Sequence, residues 1–335
     1  MKDTTRSARA RLGMRAGAAV AAGALSVAVP LALAAPAGAS VAVRNASRNY
    51  SYRTLDNKKD LTFNQLLGID NEGVIAGYFG SGMAGHPNKG YVLVPNYSQS
   101  RYVSENFPHS AQTQVTGLNN VGNTVGFWAN AAGANFGFYT TGTHFHQIGK
   151  FPGGAYASPQ VVQLLGINDH GVAVGFYTNS ASNNRGFTYN IRTHKFSRVL
   201  EPGASQGLNG PSLTAAGINN AGQVTGFFTN SGGETVGFVK TPHTFTILAF
   251  PGASSTTPLG INNKGEVAGF YTVGGGSNPP MHGFTWTHAH GFAEVNDPHG
   301  VRTTTINGLN DHGDLVGFYV DSKGNTDGFL ARPRG

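Results

Sequence analysis

Apolar and polar positions alternate along most of this chain in short runs, broken by turns rich in Gly, Asn and Asp, and the whole pattern returns six times. Each return begins with Gly-Ile/Leu-Asn/Asp-x-x-Gly. Its first glycines are Gly68, Gly117, Gly166, Gly217, Gly260 and Gly308, at successive spacings of 49, 49, 51, 43 and 48 residues. A period of this length marks a repeat architecture, each unit being one supersecondary element that stacks on its neighbours.

The third repeat shows the physics of one unit. Leu164 to Asn168 reads as a short apolar strand, and Asn168-Asp169-His170-Gly171 as a tight turn. Asn and Asp bond to nearby backbone, while Gly tolerates positive φ. Val172 to Tyr177 is a second strand, Gly186 to Tyr189 a third and Phe196 to Leu200 a fourth, before Glu201-Pro202-Gly203 ends the unit. The turn glycines Gly73, Gly122, Gly171, Gly222, Gly265 and Gly313 recur at the same place in all six repeats. Four short strands per repeat is the content of one propeller blade.

In the second strand both alternating faces are largely apolar. One carries Ala76, Val125, Val174, Thr225, Ala268 and Val316, and the other ends on Phe79, Trp128, Tyr177, Phe228, Tyr271 and Tyr319. Side chains alternate sides along a strand, so such a strand is covered on both faces, as between two neighbouring blades. The last repeat lacks a fourth strand, and residues 49–55 resemble one. The expected fold is therefore all-β: a six-bladed β-propeller of four-stranded antiparallel blades, closed by pairing of the N-terminal strand with the last blade, which leaves no exposed edge at the seam. A linear β-solenoid is the competing architecture.

The units resemble the HAF repeats of exported bacterial extracellular proteins. The resemblance rests on Pro251-Gly252-Ala253 followed by Ser254-Ser255-Thr256, on Gly260-Ile261-Asn262, and on the strand from Gly265 to Tyr271. The His-Ala-Phe element that names the family has its nearest match in His282-Gly283-Phe284-Thr285-Trp286, with Gly in place of Ala. The other units keep Gly-Phe or Gly-Tyr without the histidine. The similarity covers about residues 50–330. It implies an exported repeat protein and no particular activity, since fold does not carry function.

The start of the chain supports export. Lys2, Arg6, Arg9, Arg11 and Arg15 precede an Ala/Gly/Val/Leu-rich run, and Ala37-Gly38-Ala39 offers a cleavage site. Residues 1–39 read as a signal peptide for the general secretion route, cut after Ala39, with Ala34 as the second choice and an uncleaved anchor as the alternative. Residues 40–48 then read as a flexible lead-in and 49–332 as a single propeller domain. The leader holds five bases and one acid, so the net charge of +7 falls to about +3 in the mature chain. Those charges are scattered, which argues against nucleic acid as a partner. No later segment is long and apolar enough to span a membrane as a helix. The absence of cysteine excludes disulfides and thiolate chemistry.

Antiparallel connectivity sends the short first-to-second turns to one end of the ring. The long, dissimilar loops go to the other, among them 80–89, 152–163, 202–214 and 273–282. Variable insertions gathered on one face point to binding there, around the central axis. Candidate ligand-binding residues on that face are His282, Arg185, Arg302 and Asp327. The pairs His144/His146 and His288/His290 each alternate along a strand, and His170 and His312 read as solvated turn residues. No His-Glu-x-x-His, calcium-loop, Gly-x-Ser-x-Gly or phosphate-loop signature occurs. Five aspartates, Asp297, Asp311, Asp314, Asp321 and Asp327, fall near the C-terminus without an evident pairing. The chain thus reads as a secreted, monomeric, non-catalytic propeller that binds a glycan, cell-envelope material or an exported protein. No catalytic residue, cofactor or metal ligand is assigned, and a divalent cation stays open. The alternatives are a hydrolase or lyase with an axial, metal-dependent site, and a structural envelope component.

Overall fold

A computed structural model describes residues 43–201, 210–276 and 278–335. The leader, its cleavage site, residues 40–42 and most of the 202–214 loop lie outside the described residues. The protein is all-β. Its inner strands are Asn64–Ile69, Gln112–Leu118, Val162–Ile167, Leu213–Ile218, Ser255–Ile261 and Thr304–Leu309. The second strands are Ile75–Phe79, Thr124–Ala129, Val172–Thr178, Val224–Thr229, Val267–Thr272 and Leu315–Val320. The third strands are Lys89–Leu93, Asn135–Thr141, Asn184–Asn190, Thr235–Lys240, Met281–Thr287 and Thr326–Pro333. Outer strands are short and partly exposed: Tyr102–Ser104, His144–Gln147, Lys195–Arg198, Phe245–Leu248 and Gly291–Glu294.

The sixth unit takes its outer strand from the start of the domain. Tyr50–Thr54 runs antiparallel to Thr326–Pro333, with Tyr50 opposite Pro333 and Thr54 opposite Phe329. The backbone pairing forms four four-stranded sheets and one of nine strands. In the large sheet, units four and five are joined by a single parallel pair, Thr235 with Ser255. Contact also passes from the last unit to the first: a Cβ built on Gly308 would stand 3.0 Å from the Gly68 Cα, much as one on Gly68 would stand 3.1 Å from the Gly117 Cα.

Residues 43–48, read from the sequence as a flexible lead-in, are tied down. Arg44–Asn45 adds a parallel strand beside Gly291–Glu294, Ala46 N–H donates to the Glu294 carbonyl at 2.8 Å, and Asn296 N–H donates to Ser47 Oγ at 2.9 Å. The open edge of unit five supplies unpaired backbone groups that this segment satisfies. Two residues are too few to show a strand period in the sequence.

The Gly-aromatic pairs of the third strands make the core. Tyr91, Phe138, Phe187, Phe238, Phe284 and Phe329 are all fully buried, each stabilising its unit by about 2 kcal/mol through burial alone. The second-strand glycines are required by the inner strands, which bulge in every unit, for example between Ile306 and Gly308. The bulge pushes a carbonyl outward, so a Cβ on Gly317 would lie 1.9 Å from the Thr305 carbonyl oxygen. The six turn glycines have φ between 74° and 82°, where a side chain is strained.

Candidate functional site

At the end formed by the tight turns, six side chains meet around one axis. They occupy the second position of each turn: Asn71, Asn120, Asp169, Asn220, Asn263 and Asp311. Each backbone N–H donates to Oδ1 of the next residue: Asn71 to Asn120, Asn120 to Asp169, Asp169 to Asn220, Asn220 to Asn263, Asn263 to Asp311 and Asp311 back to Asn71, at 2.7–2.9 Å. The order Asn-Asn-Asp repeats twice, so each Asp lies between two amides. Asp169 Oδ2 accepts from Asn120 and Asn220 Nδ2 at 2.9 and 2.6 Å, and Asp311 Oδ2 accepts from Asn71 and Asn263 Nδ2 at 2.7 and 2.8 Å. Burial pushes both carboxyls up, but these hydrogen bonds outweigh it and hold them below the ordinary carboxylate value.

A second tier lies beneath. Asn119 Nδ2 donates to the Asn168 carbonyl, Asn168 to Asn219, Asn219 to Asn262, Asn262 to Asn310 and Asn310 to Asp70, at 2.9–3.0 Å. Asp70 breaks the series, because an ionised carboxylate has no donor for the Asn119 carbonyl. Its carboxyl is pushed up by burial, against backbone hydrogen bonds from Val74 and Glu72. The two tiers and the Ile or Leu before them line a cavity of about 70 Å³, the room of a few waters. The sequence reading looked for the axial site at the loop-rich end, whereas this cavity opens among the turns. In the collar all six Oδ1 atoms and all four amide Nδ2 groups are engaged within the ring. It holds units together, each amide giving one N–H to the ring and keeping its second.

The loop-rich end is organised differently. In every unit the last aromatic of the second strand lies opposite the residue just before the third-strand glycine. The pairs are Phe79 with Lys89, Trp128 with Phe136, Tyr177 with Arg185, Phe228 with Val236, Tyr271 with His282 and Tyr319 with Asp327. Three of the four residues singled out from the sequence, Arg185, His282 and Asp327, therefore hold one equivalent rim position. They sit in units three, five and six and do not converge on one site. Arg302 lies in the loop before unit six. Its carbonyl takes the Met281 N–H at 3.0 Å, beside His282, and its side chain is exposed.

Local contacts set each rim position. Arg185 Nη1 reaches the Gly210 and Pro211 carbonyls at 2.9 and 2.6 Å, fastening the loop from unit three to unit four. The His282 ring stacks on Tyr271 at 5.2 Å, and Asn296 Nδ2 lies 3.3 Å from its Nδ1. Where the inter-unit loop opens with Phe-Pro, the Phe stacks on the rim aromatic: Phe107 on Trp128 at 4.8 Å, Phe151 on Tyr177 at 5.6 Å and Phe250 on Tyr271 at 3.6 Å. Unit six has Asp297-Pro298 there instead, and the Asp297 side chain is fully buried.

His170 and His312 are exposed in their turns, and His146 stacks on Tyr139 at 4.8 Å. Among the described residues no three His, Asp or Glu side chains are gathered as a metal-binding group, and no helix is long and apolar enough to cross a membrane.

No family model matches the sequence, and no curated protein matches it. Among solved structures, the SapL1 lectin in complex with α-methyl fucoside is similar, with a TM-score of 0.53 and 9% identity over 82% of this chain and 95% of that one. AofleA from Arthrobotrys oligospora gives a TM-score of 0.52 and 12% identity over 85% of this chain and 86% of that one. A streptogramin B lyase is covered over 99% of its length and matches 85% of this chain, at 12% identity and a TM-score of 0.45, too low to carry an argument. At these identities the likeness concerns fold alone.

Proposed function

We propose that this chain is an exported six-bladed β-propeller of the HAF-repeat type, closed by its N-terminal strand, that binds glycans through the rim positions of its loop-rich end. One observation carries the reading. The repeat keeps its turns, glycines and buried rings in all six units. It changes chemistry at the residue facing the rim aromatic, which is Lys89, Phe136, Arg185, Val236, His282 or Asp327 in turn. An aromatic beside a varied polar or charged group is a common way to hold a sugar, the ring stacking on its C–H face and the polar group taking its hydroxyls. The fold likeness to the fucoside-bound SapL1 lectin is in keeping with this reading. Closure of the propeller is supported by the Tyr50–Thr54 pairing and by the hydrogen bond from Asp311 back to Asn71.

The test is a glycan array probed with the mature chain, followed by titration calorimetry on the best saccharide. The quadruple variant Lys89→Ala, Phe136→Ala, Arg185→Ala, His282→Ala should lose at least tenfold in affinity while remaining folded. Retention of no saccharide, or a folded quadruple variant binding as tightly as the unaltered protein, would sink the reading.

A further inference from the structure

The rim position of unit six departs from its equivalents in one consistent direction. In unit five, Asn296 Oδ1 accepts the Gly283 N–H at 3.0 Å while its Nδ2 group faces His282. In unit six the same backbone bond, Gly328 N–H, goes to Asp56 Oδ1 at 2.9 Å, so Asp56 stands in the place of Asn296 and Asp327 in the place of His282. The amide of unit five becomes a carboxyl group, and the residue it faces becomes another carboxyl group.

Asp297 adds a third. It replaces the Phe that stacks on the rim aromatic in three other units, so its carboxyl is directed to the Tyr319 side of the unit. Oδ1 is held by His299, through the backbone N–H at 2.8 Å and Nδ1 at 2.9 Å. Oδ2 is buried and meets no donor, and Asp297 as a whole is only 2% exposed. A buried acceptor without a partner costs about 1–3 kcal/mol, which a donor from water or from a ligand would offset. Tyr319 stands in the middle: its ring faces His299 at 5.8 Å and its hydroxyl is 2.9 Å from Thr54 Oγ1. No Lys or Arg forms an ion pair with Asp56, Asp297 or Asp327 among the described residues. The three carboxyls are each driven up first by burial; repulsion adds to this at Asp56 and Asp327, while the Gly328 N–H opposes it at Asp56, Tyr319 and His299 at Asp327, and His299 at Asp297.

We propose that unit six carries a carboxyl-lined saccharide subsite, in which Asp327 and Asp56, backed by Asp297 and walled by Tyr319 and His299, take a sugar whose donors reach the carboxyl oxygens. The proposal rests on the glycan-binding reading and deepens it. Donors of this kind come from vicinal hydroxyls or from the ammonium group of an amino sugar. His299, with its side chain 64% exposed, forms the outer wall through which the sugar enters.

The experiment titrates the mature chain with three probes: a neutral hexose oligosaccharide, a glucosamine oligosaccharide and its N-acetylated counterpart. Asp327→Asn and Asp297→Phe are then compared with the unaltered protein. The second variant installs the residue that three other units carry, so it keeps the unit folded even if the first does not. Both should weaken binding of the preferred probe at least tenfold, while Lys195→Ala, at an exposed position of an outer strand away from the rim, leaves that probe's affinity unchanged. Preference for glucosamine over its acetylated form assigns the ammonium donor, and equal affinity assigns hydroxyls. Folded variants that bind every probe as the unaltered protein does would overturn the subsite and leave glycan binding elsewhere on the rim intact. Absence of binding by the unaltered protein would remove both.

Discussion

At the turn end, six Asn and Asp residues bond one another around a ring, each of the four amides donating one N–H to an Asp carboxylate. At the loop end, the six rim positions hold Lys, Phe, Arg, Val, His and Asp, and beside the rim of unit six Asp297 has a buried carboxyl oxygen with no protein partner. Both ends are made by the same repeats, and both contain charge in half-buried places. The difference lies in whether the polar side chains are bonded to one another. A closed hydrogen-bond ring is scaffolding, since a ligand entering it would have to break bonds as good as those it makes. An acceptor-rich rim with an unfilled position gains by taking a ligand.

The largest effect expected from breaking the scaffold is at a second-strand glycine. A Gly317→Val side chain would collide with the Thr305 carbonyl, a main-chain group held in the bulged inner strand. The cost should exceed about 4 kcal/mol, beyond ordinary overpacking because the obstacle is backbone. Denaturant unfolding measures it; a loss below about 1 kcal/mol would mean that the bulge relaxes freely.

Next in size is Asp169→Asn in the collar. The change is nearly isosteric and removes a charge, yet the new NH2 must face either the two Nδ2 groups that Oδ2 accepts or the Asn120 N–H that Oδ1 accepts. A loss of about 1–3 kcal/mol is expected, with no change in saccharide affinity. Asp311→Asn should behave alike, and the two should add, because they lie on opposite sides of the ring and share no partner. A neutral result at both sites would show that the collar is not a clasp.

The architecture was legible because its signals are periodic. Gly-Ile-Asn recurring at fixed spacing, the two-faced second strands and the missing last strand led to the repeat, to the sheets and to the Tyr50–Thr54 pairing. The collar was hidden in the same letters. Asn and Asp at a tight turn are already explained by local bonds, such as Asn168 Oδ1 with the His170 and Val172 N–H groups. Contacts between turns about fifty residues apart leave no local trace. One clue was present: the second turn position is Asn or Asp in all six units, although the turn itself would accept Ser, Thr or Lys. The rim was partly legible, since Arg185, His282 and Asp327 were singled out. Their equivalence was not, because loops of unequal length hide the register until the third strands are paired. Asp297 went unrecognised as a site residue because one Asp-Pro among several Phe-Pro pairs reads as another loop.

The two ends should also answer pH with opposite signs. Asp169 and Asp311 have folded values below the ordinary 3.8, so their contribution is present above 3.8 and lost as pH falls through the lower folded value. Asp56, raised by burial and by Asp327 and Asp321 to about 7, holds its proton in the folded state where the unfolded chain has released it. Its contribution is complete below 3.8 and declines as pH climbs to about 7. Melting temperature followed across that interval should therefore fall less steeply in Asp56→Asn than in the unaltered protein. Parallel curves would place the titration elsewhere.

The smallest stability effect is expected at the rim, and there the comparison is sharpest. Lys89 is half-buried beside Phe79 and follows a loop, with no ion pair among the described residues. Lys89→Ala should shift unfolding by no more than about 0.5 kcal/mol, the usual range for a surface site away from caps and networks. In a glycan array it should nonetheless lower retention of acidic saccharides, whose carboxylate the ammonium would meet. Asp169→Asn and Lys89→Ala then form a crossed pair, one losing stability without binding and the other binding without stability. If a collar variant changed the array pattern, or if Lys89→Ala unfolded the protein while leaving acidic saccharides bound, the division of labour between the two ends would be refuted. Because the collar spans all six units and Lys89 belongs to one, such a result would mean that saccharide contact is felt through the ring itself and not through separate units.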